Sequence, residues 1–273
     1  MQEFNYHAHT YRCRHADYDY SDEDYVKEYI KNGFKKLCFT DHCPEKNKID
    51  KRLNMRMDYY EKDDYLNSIN KLKNKYKNKI EILSGYEVEY LPGEEDNIFE
   101  LKNETDKLIL GQHFIYDDNY NLKIFGKTIF TDKEIERYGD YVVKAMELNI
   151  PDIIAHPDVF MYNRDFNKTD EKVTRKICEA SEKYNIPLEI NLNNIYYRVF
   201  RSGSSSIENN FDTVVYPNRE FWKIVSEYKN IKVLYGIDSH HKGQVDKHKE
   251  LISIANTIIG EETIKKLHFI KNM

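Results

Sequence analysis

The sequence predicts an α/β protein whose parallel sheet curls into a barrel of the (β/α) type, and three observations support this prediction. Short runs rich in β-branched and aromatic residues alternate with longer charged, amphipathic stretches along the whole chain. No linker rich in Gly, Ser or Pro divides the 273 residues, so we expect a single domain over 1–273. Seven strand candidates fit a barrel better than an open parallel sheet, which is the alternative architecture.

The strand and helix candidates alternate, as repeated βαβ units require. The strands are predicted at 3–9, 35–42, 80–90, 107–114, 152–159, 186–193 and 231–240. The helices are predicted at 22–32, 58–78, 132–148, 170–184, 218–228 and 248–259. Ser21 and Thr131 each stand three residues before an acidic residue, which is the spacing of a capping box at a helix start. The Ser- and Asn-rich segment 199–217 is predicted to be a long surface loop near the active face.

The composition excludes several classes of function. A net charge of −5 disfavours broad attraction to nucleic acid or to anionic membranes. The chain has no run of about 18 apolar residues, so no transmembrane span is expected. Its first residues, MQEFNYHAHT, lack the basic and apolar regions of a signal peptide. Four cysteines without CxxC spacing indicate a reducing compartment, and we therefore expect a cytoplasmic protein.

Seven of the ten histidines lie at or just beyond the C-terminal ends of predicted strands. They are His7, His9, His15, His42, His113, His156 and His240. Two acids, Glu87 and Asp238, occupy matching positions on the third and seventh strands. In a parallel barrel all these strand ends converge on one face, where active sites are built. Imidazole and carboxylate groups bind Zn, Fe and similar ions, so the pattern predicts a metal site.

The spacing of His7 and His9 has its own physical reason. Residues i and i+2 of a strand point to the same side, so both imidazoles can bind one ion. A lone pair at this spacing also occurs on ordinary polar strands, and His113 or His156 alone would more often be satisfied by a backbone carbonyl. The prediction therefore rests on the repetition at strand ends.

The remaining histidines and the nearby cysteines are not counted as ligands. His241 is expected at most to support a ligand, and His248 and His268 are expected at the surface. Cys13 and Cys43 lie close to the candidate ligands in sequence, but a buried cysteine often packs as a small apolar group.

Taken in order, these motifs resemble those of the PHP (polymerase and histidinol phosphatase) superfamily of metal-dependent phosphoesterases. The resemblance rests on HAH at 7–9, His15, TDH at 40–42, Glu87, His113, HPD at 156–158 and DSH at 238–240. It implies a distorted, TIM-like (β/α)7 barrel that carries two or three Zn, Mn or Fe ions. It also implies three ligand sets: His7, His9, Glu87 and Asp238; Glu87 again with His113 and His156; and His15, His42 and His240.

Within the superfamily, the chain length and His15 are most similar to the stand-alone histidinol-phosphate phosphatases. This resemblance implies hydrolysis of a small phosphorylated substrate, L-histidinol phosphate, in histidine biosynthesis. Metal ions would supply hydroxide near neutral pH for attack on phosphorus. Asp238, His240 and Glu87 would then form the catalytic centre.

Other residues are expected to support the substrate or the ligands. A planar guanidinium matches two phosphate oxygens, and Arg164, Arg198 and Arg201 follow strand ends, although each fits an ordinary surface arginine as well. Asp41 and Asp158 stand beside candidate ligands and suit the orientation of imidazoles, with a helix cap as the alternative for Asp158.

The residues leave three alternatives open. Another PHP-type phosphoesterase, acting on phosphotyrosine, nucleotides or nucleic-acid ends, would share every candidate ligand. An amidohydrolase-like enzyme also uses HxH on a barrel, but it typically needs a carboxylated lysine, which these strand ends do not offer. A non-catalytic metal-binding protein is expected to have lost ligands, whereas all nine are present.

Overall fold

A computed structural model describes residues 2–46, 54–201 and 211–271 of the chain. Among these residues, no helix is both long enough and apolar enough to cross a membrane.

One parallel sheet of eight strands organises the described part of the chain. Its strands are β1 (Phe4–Asn5), β2 (Lys36–His42), β3 (Glu81–Val88), β4 (Lys107–Leu110), β7 (Ile153–Ile154), β8 (Leu188–Asn191), β9 (Lys232–Gly236) and β10 (His268–Phe269), in that spatial order. Strands β5 (Phe114–Tyr116) and β6 (Leu122–Ile124) form a separate antiparallel hairpin. The predicted α/β barrel class is confirmed, with every predicted strand in the sheet.

Strand β10 was not predicted from the sequence. It is only two residues long and pairs with β9 at the edge of the sheet, with His268 opposite Lys232. So short a strand leaves no alternating pattern in the sequence. The predicted strands at 3–9 and 152–159 are also shorter in the structure, because the chain leaves the sheet early to form the site.

Helices follow the strands and pack on the sheet. They are α1 (Asp22–Lys31), α2 (Lys62–Tyr76), α3 (Glu95–Glu104), α4 (Asp132–Glu147), α5 (Lys168–Tyr184), α6 (Asn193–Ile195), α7 (Arg219–Val225), α8 (His248–Ile259) and α9 (Glu261–Ile264). The capping boxes predicted at Ser21 and Thr131 are confirmed at the starts of α1 and α4. Helix α3 was not predicted, and its first residue follows no side-chain cap that the sequence could have revealed.

The predicted loop at 199–217 is only partly a loop. Residues Tyr196–Arg201 form a turn of π-helix, and Phe211–Thr213 form a 3-10 turn. Residues 202–210 lie outside the described part of the chain.

The sheet curls until β1 meets β9, and side chains complete this seam. The side-chain amide of Gln2 donates to the carbonyl of Tyr235 at 2.7 Å and accepts from its amide at 3.0 Å. Asn5 accepts from the amide of Ile237 at 2.9 Å. A parallel bridge between Ala8 and Ser239 then joins the segments that follow β1 and β9 directly. The barrel is therefore closed most tightly at the end that carries the histidines.

Two apolar clusters lie on the two sides of the sheet. The smaller comprises Phe4, Tyr6, Cys38, Ile109, Ile153, Ala155 and Leu234, all from strands or the residues beside them. We infer that it fills the inside of the barrel beneath the site. The larger cluster joins the helices to the outer face of the sheet. Burial of apolar surface in both clusters gives the strand ends a rigid support.

The contact between α4 and α5 gives a test of this packing. A Cβ atom added at Gly139 would lie 2.9 Å from Cγ1 of Val173, a side chain with little freedom in a helix. Alanine has the better helix propensity by about 1 kcal/mol, but overpacking typically costs about 1–3 kcal/mol. We expect Gly139→Ala to lower the free energy of unfolding by about 1 kcal/mol, measured by urea denaturation.

The Val173→Ala background is the control for this prediction. Removing the valine methyl groups makes room for the new Cβ, so Gly139→Ala should be neutral or stabilising there. An equal loss of stability in both backgrounds would contradict the proposed contact.

Candidate metal centre

All nine candidate ligands surround one pocket at the carboxyl ends of the strands. His7 and His9 follow β1, His42 ends β2, and Glu87 is the second-to-last residue of β3. His113 follows β4, His156 follows β7, and Asp238 and His240 follow β9. The ring of His15 lies 5.3 Å from that of His42 and 4.5 Å from that of His240, so the loop residue joins the same group.

The carboxylate of Glu87 lies at the centre of the pocket. Its Oε1 lies 2.9 Å from Nε2 of His156, 3.5 Å from Nε2 of His7 and 3.7 Å from Nε2 of His113. Its Oε2 lies 3.0 Å from Nδ1 of His42 and 3.4 Å from Nε2 of His9. Both oxygens therefore face imidazole nitrogens, as a bridging carboxylate requires.

His7, His9 and Asp238 form a second close group. The Nε2 atoms of His7 and His9 face each other at 3.1 Å, and Oδ1 of Asp238 lies 3.4 Å and 3.2 Å from them. The ring of His9 also stacks on that of His240 at 4.0 Å. Two nitrogens and a carboxylate oxygen at the corners of such a triangle are suited to a shared cation.

Outer acceptors hold four of the imidazoles in one orientation. Nδ1 of His7 donates to Glu189 at 2.9 Å, and Nδ1 of His113 donates to Glu89 at 2.9 Å. Two backbone carbonyls do the same for His15 and His240, at 2.7 Å and 3.0 Å. In each ring the contact occupies Nδ1, so Nε2 is the nitrogen left for a metal ion.

The electrostatics of the pocket favour ionised carboxylates but shift the pKa values of the imidazoles in both directions. Burial lowers the pKa of His9 to about 3, with the charge of His240 acting in the same direction. Burial likewise lowers the pKa of His42 to about 3. Burial tends to raise the pKa of Glu87, but the surrounding imidazoles hold it well below its ordinary value. Burial also lowers the pKa of His7 and of His240, but Asp238 raises both well above the ordinary value. A metal ion would therefore displace protons from these two rings.

The local backbone is adapted to the pocket. His156 and Asp238 have φ angles of 30° and 52°, in the left-handed region that side chains other than glycine rarely adopt. A Cβ atom at Gly111 would lie 1.8 Å from Oε1 of Glu87, and one at Gly236 would lie 2.0 Å from Oε2 of Glu189. The two glycines thus leave the space that these carboxylates occupy.

These residues fit divalent metal ions. Among the described residues, Nε2 of His240 and Oδ1 of Asp238 are buried atoms without a hydrogen-bond partner. Several groups bring their ligand atoms within 4.8 Å of one another, including His7, His9 and Glu87; His7, His156 and Asp238; His9, His42 and His240; and Cys13, His15 and His240. The grouping of Cys13 with His15 and His240 differs from the third ligand set that the resemblance implied.

A cavity of about 690 Å³ adjoins the pocket. Its lining is formed by His15, Tyr162, Asn193, Asn194, Tyr197, Arg198, Arg201, Tyr216 and His241. Within it, the hydroxyl of Tyr197 donates to Nε2 of His241 at 2.6 Å, and Nδ1 of His241 donates to Asp17 at 2.8 Å. The cavity combines two guanidinium groups with aromatic rings and amides, which suits a small anionic molecule.

Arg164 does not line this cavity, unlike the other two predicted arginines. Its guanidinium pairs with Asp132 at 2.7 Å and with the buried Asp170 at 3.0 Å. Its contacts thus join the starts of α4 and α5.

Asp41 and Asp158 have roles other than the predicted orientation of imidazoles. Asp41 accepts from the amide of Thr10 at 2.6 Å and lies 3.7 Å from Nδ1 of His9, beyond hydrogen-bond distance. Asp158 accepts from the amide of Asn218 at 2.7 Å and from the indole of Trp222 at 3.0 Å. Asp158 therefore holds the start of α7. It makes no capping hydrogen bond to the 3-10 turn Val159–Met161 that directly follows it.

One histidine prediction is wrong. His248 is buried rather than at the surface, because its ring packs edge-on against Phe34 at 4.9 Å and its Nδ1 donates to the carbonyl of Val245 at 2.8 Å. His268 is exposed, as expected.

Sequence reasoning missed the residues that support the ligands. Glu189 and Asn191 alternate along the buried strand β8, and Asn191 donates to both Glu189 and Asp238. Glu89 lies two residues after Glu87, just beyond the end of β3. Polar residues at alternate positions of otherwise apolar strands were the signal that could have identified them.

Comparisons with known proteins identify relatives in sequence and in fold. A curated histidinol-phosphatase of Bacillus subtilis (strain 168) is 23% identical over 272 residues, covering 90% of this chain and 96% of that protein. The fold is similar to that of a histidinol phosphatase candidate from Listeria monocytogenes, with a TM-score of 0.70, 19% identity and coverage of 90% of this chain and 98% of that chain.

A second similar structure is a histidinol phosphate phosphatase from Lactococcus lactis subsp. lactis, solved in complex with Zn, L-histidinol and phosphate. Its TM-score is 0.64 at 19% identity, and the match covers 98% of this chain and 95% of that chain. At such identities the likeness establishes the fold.

The family itself follows from the sequence match. The model of the PHP domain matches residues 5–193, well over half of the chain, and this range contains every candidate ligand except Asp238 and His240. The resemblance in the motifs is thereby confirmed, and the chain belongs to the PHP domain family.

Proposed function

We propose that this protein, acting as one domain, is a metal-dependent phosphatase that hydrolyses L-histidinol phosphate to L-histidinol and phosphate. The observation that carries the proposal is the pocket around Glu87, where imidazole nitrogens and a second carboxylate face one another next to an arginine-bearing cavity. The four cysteines of the protein are free thiols, which supports a reducing, cytoplasmic location.

The ligand residues would hold two or three divalent ions of the Zn, Mn or Fe type. Such ions, when bound, lower the pKa of water towards neutrality and offset the charge of a phosphoryl group. Glu87 and Asp238 supply the negative charge that keeps cations in the pocket. His240 lies beside Asp238, with its Nδ1 3.2 Å from Oδ1. Glu189 and Glu89 keep the lone pairs of His7 and His113 directed inwards.

Arg198 and Arg201 are proposed to bind the phosphate group. Both line the cavity beside His15, and a guanidinium donates to two phosphate oxygens at once. The rings of Tyr162, Tyr197 and Tyr216 offer flat surfaces for the imidazole of the substrate. Arg164 is left out of this proposal because two carboxylates already hold it.

The choice of substrate is supported by the relatives. The Bacillus subtilis protein bears the name histidinol-phosphatase, and the Lactococcus lactis structure contains L-histidinol and phosphate. The cavity of about 690 Å³ is of the size that small-molecule sites have.

The metal-loaded protein should release phosphate from L-histidinol phosphate faster than from a phosphotyrosine peptide or a nitrophenyl phosphodiester. Replacing His9 or Asp238 by Ala should lower this rate more than about a hundredfold, since losing even an outer partner of a ligand typically costs 10- to 100-fold. A colorimetric assay of phosphate release measures the rate, and the metal content of each variant shows whether ligands have been lost.

His268→Ala is the matched control, because this histidine is exposed on the edge strand. It should keep full activity and metal content. Faster turnover of phosphotyrosine would assign the site to another PHP-type substrate, and no turnover of any phosphate ester would refute the phosphatase proposal.

The arginines give an independent test of substrate binding. Arg198→Ala or Arg201→Ala should lower kcat/KM by about 10- to 100-fold, equivalent to the roughly 1.5–3 kcal/mol of a hydrogen bond to a charged group. Metal content should stay unchanged in both variants. Arg164→Ala should leave kcat/KM unchanged and instead reduce stability, since Asp170 is buried. The reverse pattern would return Arg164 to the phosphate site.

Gly236 tests the support of His7. Its backbone conformation admits alanine, but the added Cβ would displace the Glu189 carboxylate that holds the His7 ring. Gly236→Ala should therefore weaken metal binding by about 10- to 100-fold, measured by competition with a chromophoric chelator. Gly139→Ala, which also crowds a neighbouring side chain but lies on the outer helix α4, should leave metal affinity unchanged. Equal metal affinity in both variants would show that Glu189 has no such effect.

A further inference from the structure

The 3-10 turn Tyr11–Cys13 brings a buried thiol to the metal centre. Thr10 caps the turn by accepting from the amide of Arg12, and the guanidinium of Arg12 donates to Asp22 at 2.9 Å and to Asp64 at 2.9 Å. Cys13 is completely buried at the end of this turn. The side chain is thus held in place by a rigid loop rather than by packing alone.

Two imidazoles lie beside this thiol and can share a metal ion with it. The ring nitrogens Nδ1 of His15 and His240 donate to the carbonyls of Cys13 and Asp238, which leaves Nε2 as the nitrogen available to a metal ion. Nε2 of His240 is buried and has no hydrogen-bond partner among the described residues. A buried ring nitrogen without a hydrogen-bond partner is left unsatisfied, and a bound cation would satisfy it.

The three side chains are close enough to share one ion. The Sγ atom of Cys13 and one ring nitrogen each of His15 and His240 lie within 4.8 Å of one another. A zinc ion binds sulfur at about 2.3 Å and imidazole nitrogen at about 2.0–2.1 Å, so ligand atoms on one ion lie only a few ångströms apart. One thiolate with imidazoles is a ligand set typical of zinc.

We propose that Cys13 is a ligand of the metal position formed with His15 and His240, and that its thiolate makes this position selective for zinc. Soft thiolate ligands favour Zn over Mn, which prefers oxygen ligands. The inference rests on the metal centre of the proposed function, but it is independent of the substrate. It changes the role of Cys13 from a small apolar filler to a group that decides which metal is bound.

Cobalt substitution tests this inference directly. Metal-free full-length protein titrated with Co(II) should develop a thiolate-to-cobalt charge-transfer band in the near ultraviolet. Cys13→Ala should lose this band, and its affinity for one zinc equivalent should fall at least about tenfold, since even an outer partner typically contributes that much. Cys178→Ala is the matched control: this buried cysteine lies on α5, and its loss should change neither property.

A second measurement needs no variant, should Cys13→Ala fold poorly. X-ray absorption of the zinc-loaded wild-type protein should show a sulfur neighbour at about 2.3 Å. Bound cobalt or zinc without sulfur, or a charge-transfer band that persists in Cys13→Ala, would overturn the role of Cys13 alone. Failure to bind any metal would overturn both proposals, whereas a sulfur-ligated metal in a protein that hydrolyses no phosphate ester would overturn only the phosphatase.

Discussion

The buried carboxylate of Glu87 is the group on which the rest of the site depends. A negative charge removed from water is costly unless compensating groups surround it, and here imidazoles from four other strand ends do so. Each of these imidazoles must approach from a different direction. Only the carboxyl end of a curled parallel sheet offers that many directions within a few ångströms.

A second layer of acceptors turns this cluster into an ordered centre. Glu189, Glu89 and two backbone carbonyls each accept a hydrogen bond from Nδ1 of one imidazole, so Nε2 is the nitrogen left for a metal ion. The chain adapts to this arrangement at a few points. His156 and Asp238 adopt left-handed φ angles, and glycines 111 and 236 leave space for carboxylates. Strain of this kind persists where the surrounding structure holds the backbone firmly.

The seam of the barrel is closed in a way that serves the same end. Side-chain amides of Gln2 and Asn5 replace the backbone ladder between β1 and β9 at the bottom of the barrel. Near the top, Asp238 donates its amide to the carbonyl of His7 at 2.9 Å, and His9 donates to that of Ser239 at 2.9 Å. The ligand-bearing segments after β1 and β9 are thus tied directly to each other, which fixes His7, His9 and Asp238 as one unit.

Much of this protein could be predicted from the sequence by itself. The alternation of strands and helices identified the barrel class. Seven histidines and two acids at or near strand ends identified the nine candidate ligands that the structure brings to one pocket, because the position of a residue along a strand decides the face and the end at which it lies. Residues with no such periodic signal were beyond reach. The two-residue strand β10, the burial of His248 and the ion pairs of Arg164 depend on neighbours distant in the chain.

Cys13 was set aside because a cysteine in sequence is equally a core residue or a ligand. Only the tertiary structure placed its sulfur beside His15 and His240, since contacts between a loop and a remote strand end are decided by how the barrel closes.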